Sequence, residues 1–335
     1  MKDMRLLITG GSGFIGTNFI ELLIQNKIEN FINVDKQKPC NAAQKKYWIK
    51  CNLLNEKELF EIVVQFKPTH IVHLAAKTDT ASDKLVDYID NTEGTANLIR
   101  VIEKSDSVRH VVITSTQYVF KPENDEFPKT DIHFKPHTAY GESKKICEEL
   151  TRNSRMNCEW TIIRPTNVWG PWHMRYPNEL WKIIDKGWYF HPKNADPVKS
   201  FAYVKNVAHQ ILKIIESPSE KVNKKVFYVG DMPLNSVKWI NCFSQELTGK
   251  NIRIIPKSLF YLIALTGNYL NKLHISFPLN LLRFENMNSE YNTPMQKTID
   301  AFGVSHPDLK KNVKETVDWI KNEGKPFFKY WRNKY

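Results

Sequence analysis

The sequence lacks the features that mark membrane-spanning, secreted and metal-binding proteins. No apolar run approaches the roughly 18 residues that a membrane span requires, and a strand-like run already begins at Arg5, so we expect no signal peptide. The five cysteines are scattered and include no Cys-x-x-Cys pair, and the ten histidines form no cluster with them. These absences predict a cytoplasmic protein with reduced thiols, without a disulfide framework and without a metal.

Acidic residues are too few to balance the basic ones. The 335 residues include 48 Lys and Arg against 36 Asp and Glu, which gives a formal net charge of +12. Such an excess attracts polyanions, whether nucleic acid, anionic lipid or a diphosphate substrate. Lysine is spread along the whole chain and no nucleic-acid-binding module is recognisable, so nucleic acid is not an expected partner. A solvated lysine-rich surface and attraction to a membrane face both remain open.

Short β-branched runs alternate with amphipathic stretches in the first half of the chain. The predicted strands are Arg5–Thr9, Asn30–Val34, His70–His73, His110–Thr114 and Thr161–Arg164. The predicted helices are Gly16–Gln25, Glu56–Phe66, Asn91–Glu103 and Ala139–Asn153. This alternation predicts an α/β fold with a doubly wound parallel sheet of the Rossmann type, which binds ligands at the carboxyl ends of its strands.

The pattern changes after Pro165. Residues 1–165 are predicted to form the Rossmann domain, completed by residues 198–230, where Val226–Val229 has the pattern of a further strand. Residues 166–197 and 231–335 are predicted to form a smaller, mostly helical C-terminal lobe that binds the substrate.

A glycine-rich turn joins the first strand to the first helix. Gly10, Gly13 and Gly16 have the spacing Gly-x-x-Gly-x-x-Gly, with Phe14 and Ile15 between the last two. Glycine lets the backbone approach a pyrophosphate closely, and the helix that follows presents free N–H groups to the phosphates. A lone glycine pattern is weak, but the strand before it, the helix after it and an acidic residue downstream together predict a dinucleotide site.

That acidic residue is Asp35, at the end of the second strand. A carboxylate at this place accepts hydrogen bonds from the ribose hydroxyls of NAD and repels the 2′-phosphate of NADP. The neighbouring Lys36 softens this discrimination, but we expect NAD. Asn52, which precedes Leu53, is predicted to contact the adenine.

Tyr140 and Lys144 stand one turn apart on a predicted helix. A phenol with a pKa near 10 is a poor base at neutral pH. A nearby ammonium and the positive ring of an oxidised nicotinamide favour the phenolate, so that Tyr140 can accept the proton of a sugar hydroxyl while hydride leaves. On its own, a Tyr-x-x-x-Lys pair is more often an exposed tyrosine beside a solvated lysine.

Further motifs around this pair point to a known family. They are His73-Leu-Ala-Ala76, Asn91-Thr-Glu-Gly-Thr95, Ser115-Thr116 and the run from Arg164 to Pro171. Together with the glycine turn and the Tyr–Lys pair, they resemble in order and spacing the NAD-dependent epimerase/dehydratase family, which comprises extended short-chain dehydrogenases that act on nucleotide sugars. The resemblance runs from residue 5 to about residue 230.

The resemblance implies roles for individual residues. Thr116 would hydrogen-bond the reacting sugar oxygen, Tyr140 would be the general acid/base, and Lys144 would hold the nicotinamide ribose and tune Tyr140. The residues implied to line the cofactor path are Ala75, Ala76 and Asn91.

Two residues are implied on the substrate side. Asn167 matches a family asparagine that reaches the substrate's diphosphate. Lys199 stands where many members have an arginine on the nucleotide, and lysine cannot form the bidentate fork of arginine. This departure weakens the expectation of a nucleotide carrier.

The residues after Thr116 bear on the reaction. Family dehydratases carry an Asp-Glu pair there, whereas this chain has Gln117 and Tyr118, which cannot supply that acid and base. Dehydration is therefore not expected, which leaves C4 epimerisation or net reduction of a keto-sugar. An epimerase needs only bound NAD, which suits Asp35, so epimerisation is the first expectation and a keto-sugar reductase the alternative. A non-catalytic dinucleotide sensor would not need Thr116, Tyr140 and Lys144, and a hydroxysteroid dehydrogenase would need an apolar pocket.

Two C-terminal segments bear on the carrier of the sugar. Ser258–Leu265 is apolar but too short to span a bilayer, and Lys325–Tyr335 interleaves basic and aromatic residues. A buried helix and a packed tail would explain both, as would contact with a membrane surface. With Val34–Gln37 and Lys199–Val204, they resemble bacterial epimerases of N-acetylglucosaminyl-diphosphoundecaprenol, which act in O-antigen assembly. The resemblance implies a diphosphate-linked HexNAc substrate, a peripheral place at the inner membrane face, and a homodimer through the Asn91 and Tyr140 helices.

Overall fold

The computed structural model describes residues 3–80, 82–121, 127–128, 130–273, 277 and 279–335, apart from the side chain of Leu282. These residues form two compact units. The first unit comprises Met1–Val168, Ala202–Met232 and Pro294–Ser305. The second unit comprises Trp169–Phe201, Pro233–Thr293 and His306–Tyr335.

A seven-stranded parallel sheet forms the centre of the first unit. Its strands are β1 (Leu6–Thr9), β2 (Phe31–Asp35), β3 (Trp48–Lys50), β4 (His70–His73), β5 (His110–Thr114), β6 (Glu159–Pro165) and Lys225–Val229. Their order across the sheet is Lys225–Val229, β6, β5, β4, β1, β2, β3. The chain moves outward from β1 to β3 and then returns to β4 on the other side of β1. The carboxyl ends of β1 and β4 therefore flank the switch point, where such sheets bind ligands.

Helices cover both faces of this sheet. The helices of the first unit are α1 (Phe14–Gln25), α2 (Glu56–Phe66), α3 (Ile89–Glu103), α4 (Ala139–Asn153), Val204–Ile215, Ser219–Val222 and Gln296–Phe302. Successive side chains of a strand point to opposite faces. Accordingly, Leu6 and Ile8 pack with Phe19 of α1 in one buried cluster, whereas Leu7 packs with Leu59 of α2 in another. The structure thus confirms the doubly wound α/β fold.

Two parts of the first unit differ from the sequence prediction. The edge strand β3 was not predicted, because its three residues are too few to form a recognisable pattern and two of them are exposed. The segment Pro294–Ser305 was assigned to the C-terminal lobe but belongs to the first unit. Thr298 Oγ1 donates to the carbonyl oxygen of Tyr228 at 2.5 Å, and the ring of Phe302 lies 4.9 Å from that of Phe227. This segment covers the strand Lys225–Val229.

The second unit is mostly helical and has an aromatic core. Its α-helices are Lys182–Asp185, Ser236–Thr248, Lys257–Lys272, Leu281–Asn288, Leu309–Lys321 and Lys329–Lys334. Two short strand pairs accompany them, Val198–Lys199 with Leu234–Asn235 and Phe190–Pro192 with Arg253–Ile255. The ring of Trp239 stacks on Phe201 at 4.4 Å and meets Trp169 edge-on at 5.9 Å. Aromatic burial of this kind dominates the energetics of a small core.

The C-terminal tail packs against its own unit. Phe328 and Trp331 are 2% and 0% exposed. The indole nitrogen of Trp331 donates to the carbonyl oxygen of Pro177 at 2.9 Å, and Lys334 Nζ lies 2.5 Å from a carboxylate oxygen of Asp185. The structure shows the packed tail, one of the two interpretations left open for Lys325–Tyr335, while Phe327 and Tyr335 remain 43% and 45% exposed. Among the helices in the described ranges, none is long and apolar enough to cross a bilayer.

Candidate active site

The glycine turn lies where β1 ends, at the switch point of the sheet. Gly10 has a φ of +71°, and a Cβ on it would lie 2.4 Å from the backbone nitrogen of Ala75. A Cβ on Gly16 would lie 2.5 Å from the carbonyl oxygen of Gly10. Both positions therefore exclude any larger residue. Gly13 is the N-cap of α1 and has no side chain to accept its first N–H groups. The turn thus fits a pyrophosphate, with Phe14 as the first residue of the helix.

Asp35 presents a fixed carboxylate at the end of β2. Its Oδ2 accepts from the backbone nitrogen of Ser12 at 3.0 Å, and its Oδ1 accepts from that of Gln37 at 2.8 Å. Burial raises the pKa of Asp35, while these hydrogen bonds act in the opposite direction. Lys36 Nζ lies 2.5 Å from Asp90 Oδ2. That ammonium is paired with Asp90, and the binding of ribose hydroxyls by Asp35 stays a prediction.

Three further residues predicted to bind the cofactor lie around this edge. Asn52 is exposed, and its Oδ1 accepts from the backbone nitrogen of Leu54 at 3.1 Å. Leu53 is buried at 8% exposure, and Ile15 packs against the core beneath the glycine turn. The adenine contact of Asn52 stays a prediction.

Asn91 acts on the segment that follows β4. It is completely buried. Its Oδ1 accepts from the backbone nitrogen of Lys77 at 2.7 Å, and its Nδ2 donates to the Lys77 carbonyl oxygen at 3.0 Å and to Ser143 Oγ at 2.9 Å. We predicted that Asn91 lies against the cofactor. Its amide positions the segment that carries Ala75 and Ala76 and joins it to α4, and its contact with the cofactor stays a prediction.

Thr116, Tyr140 and Lys144 come together in the interior of the first unit. Tyr140 lies in the first turn of α4, which begins where Thr138 Oγ1 accepts from the backbone nitrogen of Gly141 at 3.0 Å. The Thr116 side chain lies close enough to the phenol of Tyr140 to act on its pKa. Lys144 Nζ donates to the carbonyl oxygen of Thr114 at 2.9 Å, at the end of β5. All three predicted catalytic residues are buried, at 5%, 7% and 1% exposure in chain order.

Burial dominates the electrostatics of this trio. It raises the pKa of the Tyr140 phenol, and the Thr116 side chain only partly opposes this. Burial also lowers the pKa of Lys144. We predicted that Lys144 and an oxidised nicotinamide together favour the phenolate, and that joint effect stays a prediction, whereas burial alone shifts the pKa of Tyr140 upward. The cause is desolvation, which disfavours the charged form of a buried phenol. The phenol is therefore protonated at neutral pH in this structure.

Gln117 and Tyr118 converge on Asn167. Gln117 Nε2 donates to Asn167 Oδ1 at 3.0 Å, and the Tyr118 hydroxyl lies 3.4 Å from the same oxygen. The Tyr118 ring lies 6.4 Å from that of Tyr140, so the predicted substrate residue Asn167 belongs to the surroundings of the trio. Since both donors point to the oxygen, the amide nitrogen of Asn167 faces away from them and can donate to a ligand.

Two further residues of the first unit near the trio were not predicted from the sequence, and the predicted Lys199 belongs to the second unit. The ring of Tyr88 lies 6.1 Å from that of Tyr140, and Lys77 Nζ lies 5.1 Å from the Tyr88 ring centroid. The position of Lys77 directly after His73-Leu-Ala-Ala76 was the signal that could have identified it. Lys199 belongs to the second unit, where its Nζ donates to the carbonyl oxygen of Asn286.

A doubly wound sheet, a glycine turn at its switch point and a buried Thr–Tyr–Lys trio define an extended short-chain dehydrogenase/reductase. The model of the NAD dependent epimerase/dehydratase family matches residues 6–230. The chain belongs to this family, which confirms the resemblance seen in the sequence. The chain is thus an enzyme, and NAD is the cofactor that the glycine turn and Asp35 fit.

Relatives with curated functions include both epimerases and other sugar enzymes. The chain is 29% identical to the N-acetyl-α-D-glucosaminyl-diphospho-ditrans,octacis-undecaprenol 4-epimerase of Escherichia coli O157:H7, over 80% of this chain and 79% of that protein. It is 27% identical to the GDP-6-deoxy-D-talose 4-dehydrogenase of Aggregatibacter actinomycetemcomitans, over 63% of this chain and 70% of that protein.

The fold also matches solved structures. The UDP-glucose 4-epimerase of Thermus thermophilus, in complex with NAD, superposes with a TM-score of 0.70 at 20% identity, over 95% of this chain and 99% of that chain. At this identity the likeness establishes the fold alone.

Proposed function

We propose that this enzyme is a sugar 4-epimerase that oxidises and re-reduces C4 of a diphosphate-activated HexNAc. The observation that carries the proposal is the pair Gln117 and Tyr118. These residues follow the catalytic threonine but are bound to Asn167 and carry no carboxylate. The trio Thr116, Tyr140 and Lys144 can move a proton and support hydride transfer, and the two following residues cannot eliminate water. The reaction that these residues support is therefore the oxidation and reduction of a single carbon.

NAD, when bound by the glycine turn and Asp35, supplies the acceptor and donor of the C4 hydride. Tyr140 takes the proton of the C4 hydroxyl during oxidation and returns one to the same oxygen after the hydride is returned to the opposite face. Thr116 lies close enough to the phenol to act on its pKa, and its hydroxyl would hydrogen-bond the sugar oxygen. Proton and hydride are both returned, so the reaction consumes no cofactor.

Burial keeps Tyr140 protonated at neutral pH, so in this form it can donate a proton but cannot accept one. A group with a raised pKa holds its proton for donation to the keto-sugar, and it accepts a proton only when a positive charge stabilises the phenolate. Lys144, whose Nζ donates to the carbonyl oxygen of Thr114, is the buried cation within the trio. We propose that Lys144 serves Tyr140 in this way once the ligands exclude water.

A lipid diphosphate is the carrier that we favour. Support comes from the relative that acts on an undecaprenol-linked sugar, from the lysine at position 199 where nucleotide-binding members have arginine, and from the basic character of the second unit. The second unit contains 19 Lys and Arg against 10 Asp and Glu, so most of the net charge of +12 lies there. The proposed place of action is the inner membrane face, in surface polysaccharide synthesis, with the enzyme as a peripheral homodimer.

Two purified substrates test the reaction and its carrier. The enzyme with NAD is given UDP-N-acetylglucosamine or the undecaprenyl-diphosphate-linked sugar, and the sugar is released by acid and identified. Conversion of the lipid-linked sugar to N-acetylgalactosamine is the expected result. Conversion of only the UDP-sugar would overturn the lipid carrier, and conversion of neither would overturn epimerisation of HexNAc.

A keto-sugar reductase is the second candidate, favoured by the relative named as a GDP-6-deoxy-D-talose 4-dehydrogenase. Such an enzyme would consume NADPH or NADH stoichiometrically with its keto-sugar. Asp35 opposes the 2′-phosphate of NADPH, which places this candidate second. A non-catalytic sensor is disfavoured because Thr116, Tyr140 and Lys144 are all present and assembled.

A further inference from the structure

Among the described residues, the helix Lys257–Lys272 packs on its own unit through one face. Phe260 and Ala264 are 2% and 0% exposed, and Gly267 is also buried. The spacing of these residues, four and then three positions, places them on one side of the helix. A Cβ on Gly267 would lie 1.9 Å from the carbonyl oxygen of Leu279, so the backbone approaches its neighbour closely here. This face is therefore the inner face of the helix.

The opposite face of the same helix is apolar and exposed. We name it the apolar strip. It consists of Leu259 (47% exposed), Leu262 (58%), Leu265 (37%), Tyr269 (65%) and Leu273 (53%), the residue directly after the helix. A surface helix normally carries polar residues on the side away from the core. Single exposed apolar residues need no explanation, but a contiguous strip indicates an interaction surface.

The surroundings of the apolar strip are basic. From Leu247 to Phe284 the sequence contains no Asp or Glu. The basic residues in this stretch are Lys250, Arg253, Lys257, Lys272 and Arg283. Lys257 and Lys272 are the first and last residues of the helix. An apolar face framed by basic side chains is complementary to a surface that is apolar beneath an anionic layer.

We propose that the apolar strip docks on an anionic phospholipid surface, with the helix lying in the plane of the interface. The leucines and Tyr269 would enter the boundary of headgroups and acyl chains, while Lys257 and Lys272 would remain at the phosphates. A second copy of this chain fits less well, because a two-fold interface would bring the same basic residues together. The biological use of this docking rests on the proposed function, since a lipid-linked substrate lies in the same membrane.

Vesicle sedimentation tests the docking. The full-length protein is mixed with vesicles of phosphatidylcholine alone or with phosphatidylglycerol. We expect binding to the anionic vesicles, weakened by salt. The double variant L262S/Y269S should lower the partition coefficient on the order of tenfold or more, since it removes apolar insertion. The variant K257Q/K272Q should bind anionic vesicles less and lose part of the salt dependence.

The matched control is I132S, because Ile132 is 65% exposed but lies in the first unit. It should bind vesicles like the wild type, and circular dichroism should find all variants folded. Unchanged vesicle binding of L262S/Y269S would overturn the proposal. A variant that dissociates in gel filtration while still binding vesicles would assign the strip to a second copy and also overturn it. Vesicle binding is measured without substrate, so its failure is distinct from a failure of epimerisation.

Discussion

The phenol of Tyr140 is the group on which the proposed proton transfer depends. It is 7% exposed, and the Thr116 side chain lies close enough to act on its pKa. The variant Y140F keeps the ring and its packing but removes the transferable proton. We expect kcat to fall by about 10²–10⁴-fold, the usual contribution of a general acid/base. NAD titration should give an unchanged affinity, and a variant with wild-type turnover would refute the role of Tyr140.

Variants of Gln117 and Tyr118 test their contacts with the amide of Asn167. These two residues stand where family dehydratases have an Asp-Glu pair. In Q117E, a carboxylate faces Asn167 Oδ1 where Gln117 donates at 3.0 Å. The amide should rotate, and KM should rise about tenfold with little change in kcat, since roughly 1.4 kcal/mol of uniform binding is lost. Y118F removes a longer contact of 3.4 Å and should raise KM less. A fall in kcat at constant KM in Q117E would contradict this positioning role.

At the scale of the element, the glycine turn places two constraints on Gly10, a positive φ and a close approach to neighbouring backbone. A pair of variants separates their effects. Gly10 and Gly249 have φ angles of +71° and +70°, but a Cβ on Gly10 would meet the backbone of Ala75 at 2.4 Å, whereas nothing lies within 4 Å of a Cβ on Gly249. G249A should cost only the backbone strain, about 1 kcal/mol of the free energy of unfolding. G10A should cost more and weaken NAD binding at least about tenfold. Equal effects of the two variants in urea unfolding and NAD titration would contradict the close approach.

The elements with strong sequence periodicity were the ones that the sequence predicted. β4, β5, α2 and α4 have the predicted bounds, because β-branched runs and regular apolar spacing persist over whole elements there. β3 lacked such a signal. The exposed face of Lys257–Lys272 could not be predicted either, since an apolar run does not reveal which of its sides is covered.

At the scale of the whole molecule, two buried histidines make stability depend on pH. His73 Nδ1 and Nε2 lie 2.7 Å and 2.9 Å from the hydroxyls of Thr9 and Thr95, and the ring is wholly buried. Burial, aided by the charge of Lys144, lowers the pKa of His73 to about 3. Burial likewise lowers the pKa of His110 to about 4.

The sign of this dependence follows from proton uptake. Below the unfolded pKa of about 6.5, the unfolded chain binds protons that the folded chain does not, so stability present above that pH is lost as the pH falls toward 4. Each histidine should contribute about 1.4 kcal/mol per pH unit to the slope. H73Q should lower this slope between pH 6 and pH 4.5 by that amount in urea unfolding. An unaltered slope in H73Q would refute the assignment.

Packing between distant parts of the chain determined the structural features that the sequence did not predict. Tail residues such as Trp331 and the segment Pro294–Ser305 have their places set by contacts with distant parts of the chain. The Thr–Tyr–Lys trio was predictable because its motifs recur in a fixed order. The direction of the pKa shift of Tyr140 was not, since it depends on burial that a motif does not specify.

The central claim, reversible oxidation at C4, is tested most directly with a substrate that carries deuterium at C4. The enzyme, NAD and the lipid-linked N-acetylglucosamine labelled at C4 are incubated in ordinary water, and the product sugar is analysed by mass spectrometry and NMR. The account predicts N-acetylgalactosamine that retains the deuterium at C4, with no net formation of NADH and no reaction with Y140F. Loss of the label to solvent, net consumption of cofactor, or a 6-deoxy product would contradict it.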